Sequence, residues 1–344
     1  MIKKRFISML VLLAAVATGA MAQTTYKVSV KEGTEDVTSW TIAPAEATTT
    51  GVAAGTTVTA TYSGMKRVKS VKAVKKAAEE PVTLATPLTI EAITDGTIQV
   101  FMLFELSTGM KYSVNGGTKT TITSTTVIGD LKAGDKVQFY GNGTQTQAYG
   151  DSPEVSILGS GDGFQTKVYG NIMSLLDEDG FATKTDLPDA SYIFYGLFKE
   201  NATLIDASEL LLPAATLANG CYQQLFQDCT SLTKAPNLPA TQLASNCYRQ
   251  MFSGCSALTA APLLHVTQLV RNCYNSMFNN CTKLATVTCL ATSGINQDYS
   301  TTYMLQFAGS QVEGTKTFYA VSTAEWPSDV NGIPTDWTRV NIDK

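Results

Sequence analysis

Apolar and polar residues alternate along the first half of the chain and recur at a longer period in the second. Thr25–Val30 puts Tyr26, Val28 and Val30 on one side, and Thr57–Tyr62 does the same with Val58, Ala60 and Tyr62. A period of two over such short runs predicts half-buried strands, with Gly-containing turns between them. Leu88–Ile93 and Thr97–Leu103 are strand-like in the same way, and Val137–Tyr140 is another before Gly141-Asn142-Gly143. Val114-Asn115-Gly116-Gly117 carries a hairpin turn signal. The expectation is two small all-β modules, one over residues 23–81 and a sandwich-like one over 87–160, with a short linker over 77–86.

The later pattern is an internal repeat. Cys221, Cys247 and Cys273 are 26 residues apart, and Cys229, Cys255 and Cys281 keep the same step. So do Phe226, Phe252 and Phe278, Leu232, Leu258 and Leu284, and Leu217, Leu243 and Leu269. A degenerate earlier copy at Phe198 and Leu204 stands 28 residues before Phe226 and Leu232, and the pattern decays after Cys289. Cys221, Leu225, Phe226 and Cys229 fall at i, i+4, i+5 and i+8, which predicts one face of a short helix with Gln223, Gln224, Gln227 and Asp228 in water. Thr233, Lys234 and Ala235 would supply one strand per coil, stopped by Pro236 in one copy and Pro262 in the next. A single unit cannot bury its own apolar face, so the expected architecture over 165–344 is a solenoid of helix-plus-strand coils with a C-terminal cap.

Composition narrows the function. The 344 residues are 44% hydrophobic and only 16% charged, which is enough apolar matter for a core under an uncharged polar surface. The net charge of −4 argues against a nucleic-acid partner, because phosphate neutralisation needs a surplus of Lys and Arg. The one histidine, His265, rules out a multi-histidine zinc site within the chain. Lys3, Lys4 and Arg5 precede the apolar run Phe6–Val16 and the small-x-small triplet Ala20-Met21-Ala22, so residues 1–22 are expected to be a cleaved signal peptide. No later run is long enough for an integral membrane span, and the expected location is secreted or cell-surface.

The eight residues Met251-Phe252-Ser253-Gly254-Cys255-Ser256-Ala257-Leu258, with their copies at Leu225–Leu232 and Met277–Leu284, resemble the repeat of the BspA-like leucine-rich-repeat surface proteins of Bacteroidota. The resemblance covers Tyr192 to Thr288, with a similar lead-in at Tyr169–Leu176 and a similar closing segment at Gly332–Trp337. The 26-residue unit is longer than the family's usual one, which lengthens the loop holding Leu238-Pro239-Ala240. The resemblance implies a leucine-rich-repeat solenoid and adhesion without catalysis, with a host or bacterial surface protein as partner. Glycan capture at the cell surface is the alternative. It implies no cofactor, and it transfers no ligand-binding residue.

The candidate binding residues are therefore positional. The open strand face would present Thr233, Thr259 and Ala285 beside Lys234, Ala260 and Thr286. Tyr222, Tyr248 and Tyr274 form a second column, read either as a stacking surface or as half-buried packing. The six laddered cysteines are expected to be free buried thiols rather than disulfides, and Cys289 a core residue of the last coil. His265 is expected to be a loop substitution, Asp177-Glu178-Asp179-Gly180 a solvated turn without calcium-loop spacing, and Gly159–Gly163 a turn. The basic run Lys66–Lys76 is read as a strand with a solvated lysine face leading into the linker. No catalytic or metal-binding residues are assigned.

Overall fold

The computed structural model describes the backbone of strands within residues 10–72, then residues 81–102, 109–142, 148–149, 152–153 and 155–343. Met1–Pro81 and Val82–Lys344 are two separate compact units. In the first, β1 (Leu10–Val16), β2 (Thr25–Glu32), β3 (Glu35–Asp36) and β5 (Val52–Ala53) form one antiparallel sheet centred on β2. β4 (Trp40–Ala43), β6 (Thr57–Tyr62) and β7 (Val68–Lys72) form another. Leu10–Val16 of the apolar run in the expected signal peptide form β1, paired with β2, and the rest of that run lies outside the described residues. β7 takes in part of the basic run, whose side chains lie outside the described residues.

In the second unit, β8 (Leu88–Ala92), β10 (Lys111–Val114), β11 (Thr120–Thr121) and β13 (Lys136–Tyr140) join β17 (Thr166–Asn171) and β18 (Leu204–Leu211) in a six-stranded sheet. Its order is β11-β10-β13-β8-β17-β18, and only β17 and β18 are parallel. β9 (Gly96–Met102), β12 (Thr125–Leu131) and β16 (Val155–Ser160) make a three-stranded antiparallel sheet, and β14 (Ala148–Tyr149) pairs with β15 (Ser152–Pro153). The alternation read from sequence is visible in β13, where Val137 and Phe139 are buried and their neighbours are not. Inward residues of both sheets, among them Leu88, Ile98, Val100, Phe139 and Ile157, share one apolar cluster with the repeat region. Residues 87–160 and 165–344 are thus joined by a common sheet and a common core. Of the Gly159–Gly163 run, Gly159 and Ser160 end β16 and Gly161–Gly163 are the turn that carries the chain toward β17 in the other sheet.

The expected helix-plus-strand repeat is corrected by the structure. The chain is nearly all β, and among the described residues the only helical segments are the 3-10 turns Ile172–Leu175 and Phe181–Thr183. The sheets do not form a solenoid either. Between β18 and β19 (Thr286–Cys289), the strand pairing of neighbouring copies is reduced to isolated parallel bridges such as Asp206–Lys234, Thr216–Gln242 and Ala260–Thr286. Pro236 and Pro262 help keep the pairing that short, since proline has no N–H to donate. A three-stranded parallel sheet of β19, β20 (Thr317–Val321) and β21 (Thr338–Ile342) follows.

The helix is missing because successive N–H groups have different destinations. Cys221, Gln223, Leu225, Gln227 and Cys229 donate to carbonyls three residues back, at 3.0–3.3 Å. Gly220, Tyr222, Gln224, Phe226 and Asp228 donate out of the coil, to Ser245, Cys247, Arg249, Met251 and Ser253 of the next copy at 2.7–3.0 Å. An α-helix would keep every one of these bonds four residues back within the coil. The alternation needs a left-handed residue at every fourth position, and Gly220, Gln224 and Asp228 have φ of 62°, 57° and 59°. The set recurs at Asn246, Gln250 and Gly254, and again at Asn272, Ser276 and Asn280. It also extends to Tyr192, Gly196 and Glu200 before them and to Tyr299, Tyr303 and Phe307 after them, so the stack has five coils. Each non-glycine residue in this conformation costs roughly 1–2 kcal/mol. A Cβ on Gly254 would also run into the Asp228 carboxylate of the previous coil.

Columns of like side chains offset that cost. Phe198, Phe226, Phe252 and Phe278 stack with centroids 5.5–5.7 Å apart and planes within 14° of parallel. All seven cysteines are free and buried. Cys229, Cys255 and Cys281 donate their thiol hydrogens to the carbonyls of Phe198, Phe226 and Phe252 in the preceding coil, each at 3.0 Å. Burial pushes the Cys221, Cys273 and Cys289 thiols up to about 12. The fifth coil was not legible as a repeat: Thr301, Met304, Leu305 and Ala308 are buried there, in place of Tyr274, Met277, Phe278 and Cys281 one turn earlier.

Replacing the middle of the aromatic column, Phe252→Ala, is expected to destabilise the second unit by about 3–5 kcal/mol in urea unfolding. The seven cysteines are expected to resist a thiol reagent at pH 8 in the folded chain and to react together in denaturant, because the thiolate is the reactive form. A native-state burst of labelling would contradict the burial.

Candidate binding face

The structure separates the predicted site residues into two groups. Tyr222, Tyr248 and Tyr274 do not form a surface: they are 0%, 2% and 1% exposed. Their rings continue a column begun by Phe194, with centroids 5.7, 5.9 and 6.2 Å apart. The reading of these tyrosines as a binding surface is therefore corrected. Each lies four residues before a column phenylalanine, and the turn geometry carries both rings inward. The hydroxyls of Tyr222 and Tyr248 are buried without a hydrogen-bond partner, and desolvation holds both well above the ordinary tyrosine pKa.

Thr233, Lys234 and Thr259 are exposed and Thr286 is half-buried. Thr233 donates its hydroxyl to the Ile205 carbonyl at 2.8 Å, and the Lys234 ammonium reaches the Asp206 carboxylate at 2.8 Å. Burial acts to raise the Asp206 pKa. Hydrogen bonds from Lys234 and from the Ser208 hydroxyl and N–H outweigh it, and the carboxyl stays below its ordinary value.

Strand register places Asp206 within a charge row that ends in Lys234. Lys136 pairs with Glu91, Glu91 with Lys167, Lys167 with Asp206, and Asp206 with Lys234. Lys167 and Lys136 approach the Glu91 carboxylate at 3.2 and 3.9 Å. Opposite charges on neighbouring strands support the register of the sheet. One unit beyond Lys234 the face turns neutral. Ala260 bridges to Thr286, Thr286 pairs with Thr317, and Thr317 with Thr338. Val287 and Phe318 beside these threonines point into the core, so the threonines and Tyr319 line the outer side.

Thr317, Tyr319 and Thr338 were missed by sequence reasoning because they lie past the recognisable copies. The only signal was the alternation of Thr317–Val321. The resulting surface is shallow and rich in hydroxyls, suited to many weak contacts.

The remaining candidates take structural places. Glu178 of the acidic turn accepts from Lys111 and Lys119 at 2.8 and 2.7 Å, and Asp177 accepts from the Gly180 N–H at 2.8 Å. Cys289 ends β19 and is fully buried. His265 lies half-buried beside Leu264, which bridges to Cys289. Among the described residues no His, Cys, Asp and Glu cluster has the makings of a metal site, and no helix is long and apolar enough to cross a membrane. An open cleft of about 480 Å³ lies between Asp186–Ser191 and Thr216–Asn219. Comparison of the chain with protein-family models, with curated proteins and with solved structures finds no match.

Because the Tyr248 hydroxyl is buried without a partner, Tyr248→Phe is expected to leave the fold intact and raise its stability by about 1 kcal/mol. Chemical denaturation of the two proteins side by side measures this, and a loss of more than that amount would mean that the hydroxyl has a partner.

Proposed function

We propose that the chain is an exported, non-enzymatic binding protein that attaches to protein on a host or neighbouring-cell surface. The supporting observation is the outer face just described, where a charge row ending in Lys234 gives way to the neutral row Ala260, Thr286, Thr317 and Thr338. A flat row of small side chains admits a partner backbone closely, and its hydroxyls supply donors and acceptors without the desolvation penalty of charges. The signal-like start of the chain supports export. The Phe-x-x-Cys-x-x-Leu units, similar to those of BspA-like surface proteins, support an adhesive role. Glycan capture is the second reading, and exposed aromatic residues in the last coil favour it.

Thr259 and Thr338 are exposed, so bulky side chains there fill the face without entering the core. Against a panel of immobilised extracellular-matrix proteins, the chain is expected to bind at least one saturably, and Thr259→Tyr with Thr338→Tyr to weaken that binding about tenfold, or about 1.4 kcal/mol. Unchanged affinity in the double variant would move the contact off this face.

A further inference from the structure

Three large aromatic or apolar rings stand in water in the fifth coil. Tyr299 is 64% exposed, Tyr303 44% and Phe307 62%. They occupy the three left-handed positions of that coil that match those of the coils before it, with φ of 63°, 57° and 59°. In the three preceding coils these positions hold Gly, Asn, Gln, Asp or Ser, mostly small or polar types that tolerate the conformation better than an aromatic does. Bulky rings here strain the backbone and leave about half or more of two of them in water. Backbone strain and exposed aromatic area coinciding at one place point to contact with something outside the chain.

The surroundings select the chemistry of that contact. The side chains between the rings include Thr302 and Gln306, so the rings are separated platforms rather than one continuous apolar patch. No Lys or Arg occurs from Ala285 to Thr315, and Arg271 of the neighbouring coil, beside the Asn272 whose N–H donates to Asp298, is the cation placed near one end of the row. Among the described residues, the N–H groups of Tyr299 and Phe307 meet no acceptor, although those of Asn272 and Asn280 one coil earlier donate onward at 3.1 and 2.9 Å. A polar cleft of about 280 Å³, lined by Thr292, Ser293, Gln297, Thr323 and Glu325, opens from the same loop, with Gln297 two residues before Tyr299. Ring faces for stacking on the C–H faces of sugars, free donors for hydroxyl oxygens and a cleft lined by hydroxyl, amide and carboxylate side chains fit an uncharged carbohydrate.

We propose that Tyr299, Tyr303 and Phe307 form a stacking platform for an uncharged glycan chain, and that the Thr292–Gln297 cleft receives its hydroxyl groups. The platform deepens the glycan reading and does not depend on the threonine face.

The test is calorimetric titration of the full chain with neutral hexasaccharides of glucose, xylose, mannose and N-acetylglucosamine. At least one is expected to bind with a Kd in the micromolar to low-millimolar range. The triple variant Tyr299→Asn, Tyr303→Ser, Phe307→Asn restores the residue types of the preceding coil. It is expected to lose at least tenfold in affinity while its unfolding midpoint stays equal or rises, which separates loss of the platform from loss of the fold. The Thr259→Tyr, Thr338→Tyr variant is expected to keep glycan affinity, so that failure of one face does not mask failure of the other. The platform is refuted if no hexasaccharide binds, or if the triple variant binds as well as the parent. It is equally refuted if the parent self-associates in ultracentrifugation and the triple variant does not, since the rings would then meet a second copy.

Discussion

The repeat region rests on one partition of backbone hydrogen bonds. Of each successive pair of N–H groups, one closes a turn within its coil and the other crosses to the next coil. In the inner coils these donors are satisfied, as buried peptide groups require, yet no helix and no continuous strand results. The crossing bonds act along the stack and fix the distance at which coils pile up. That distance sets the 5.5–5.7 Å spacing of the phenylalanine rings and brings each of three cysteine thiols within 3.0 Å of a carbonyl in the coil before it.

The partition has an energetic consequence. Each coil carries three left-handed residues, and glycine fills only a few of those places. Full burial of one large apolar side chain is worth roughly 1.5–3 kcal/mol, similar to the cost of one or two left-handed residues. Each inner coil buries a tyrosine, a phenylalanine, two cysteines and a leucine between its neighbours, so the balance favours stacking. Removed from its neighbours, one coil would lose both its crossing acceptors and its columns while keeping the strain. Like side chains therefore recur at fixed positions.

This explains what was legible in the sequence. The columns were visible as a 26-residue step, because identical contacts demand identical residues. The helix was a misreading with an identifiable cause. Apolar residues at i, i+4, i+5 and i+8 suit a helical face, but they equally suit a chain that turns every fourth residue. Glycine or asparagine at 220, 246, 254, 272 and 280 was the available hint, since these residues favour positive φ. The tyrosines were placed at the margin of a helical face and lie inside because no helix is there. The fifth coil escaped notice because Leu305 and Ala308 replace the marker Phe and Cys, one residue out of step.

The same constraint separates where the chain is free to vary from where it is not. Column positions are held by packing, and the crossing N–H groups by the next coil. The left-handed positions lie outside the columns, some buried like Gln224 and Ser276 and some exposed like Asn280, and backbone conformation joins contact with the next coil in restricting them. Polar or small residues there satisfy that restriction at least cost, as in the three coils from Gly220 to Asn280. At the end of the stack the Tyr303 N–H still crosses, to the Val330 carbonyl at 2.8 Å, but the N–H groups of Tyr299 and Phe307 are left without acceptors among the described residues. That end is also where the backbone restriction is overridden three times, each time by an aromatic ring left in water. A stack closed only for stability would place polar residues at those sites, as its inner coils do. The departure falls in the coil where, among the described residues, open donors and exposed rings occur together, so packing within the stack does not account for it.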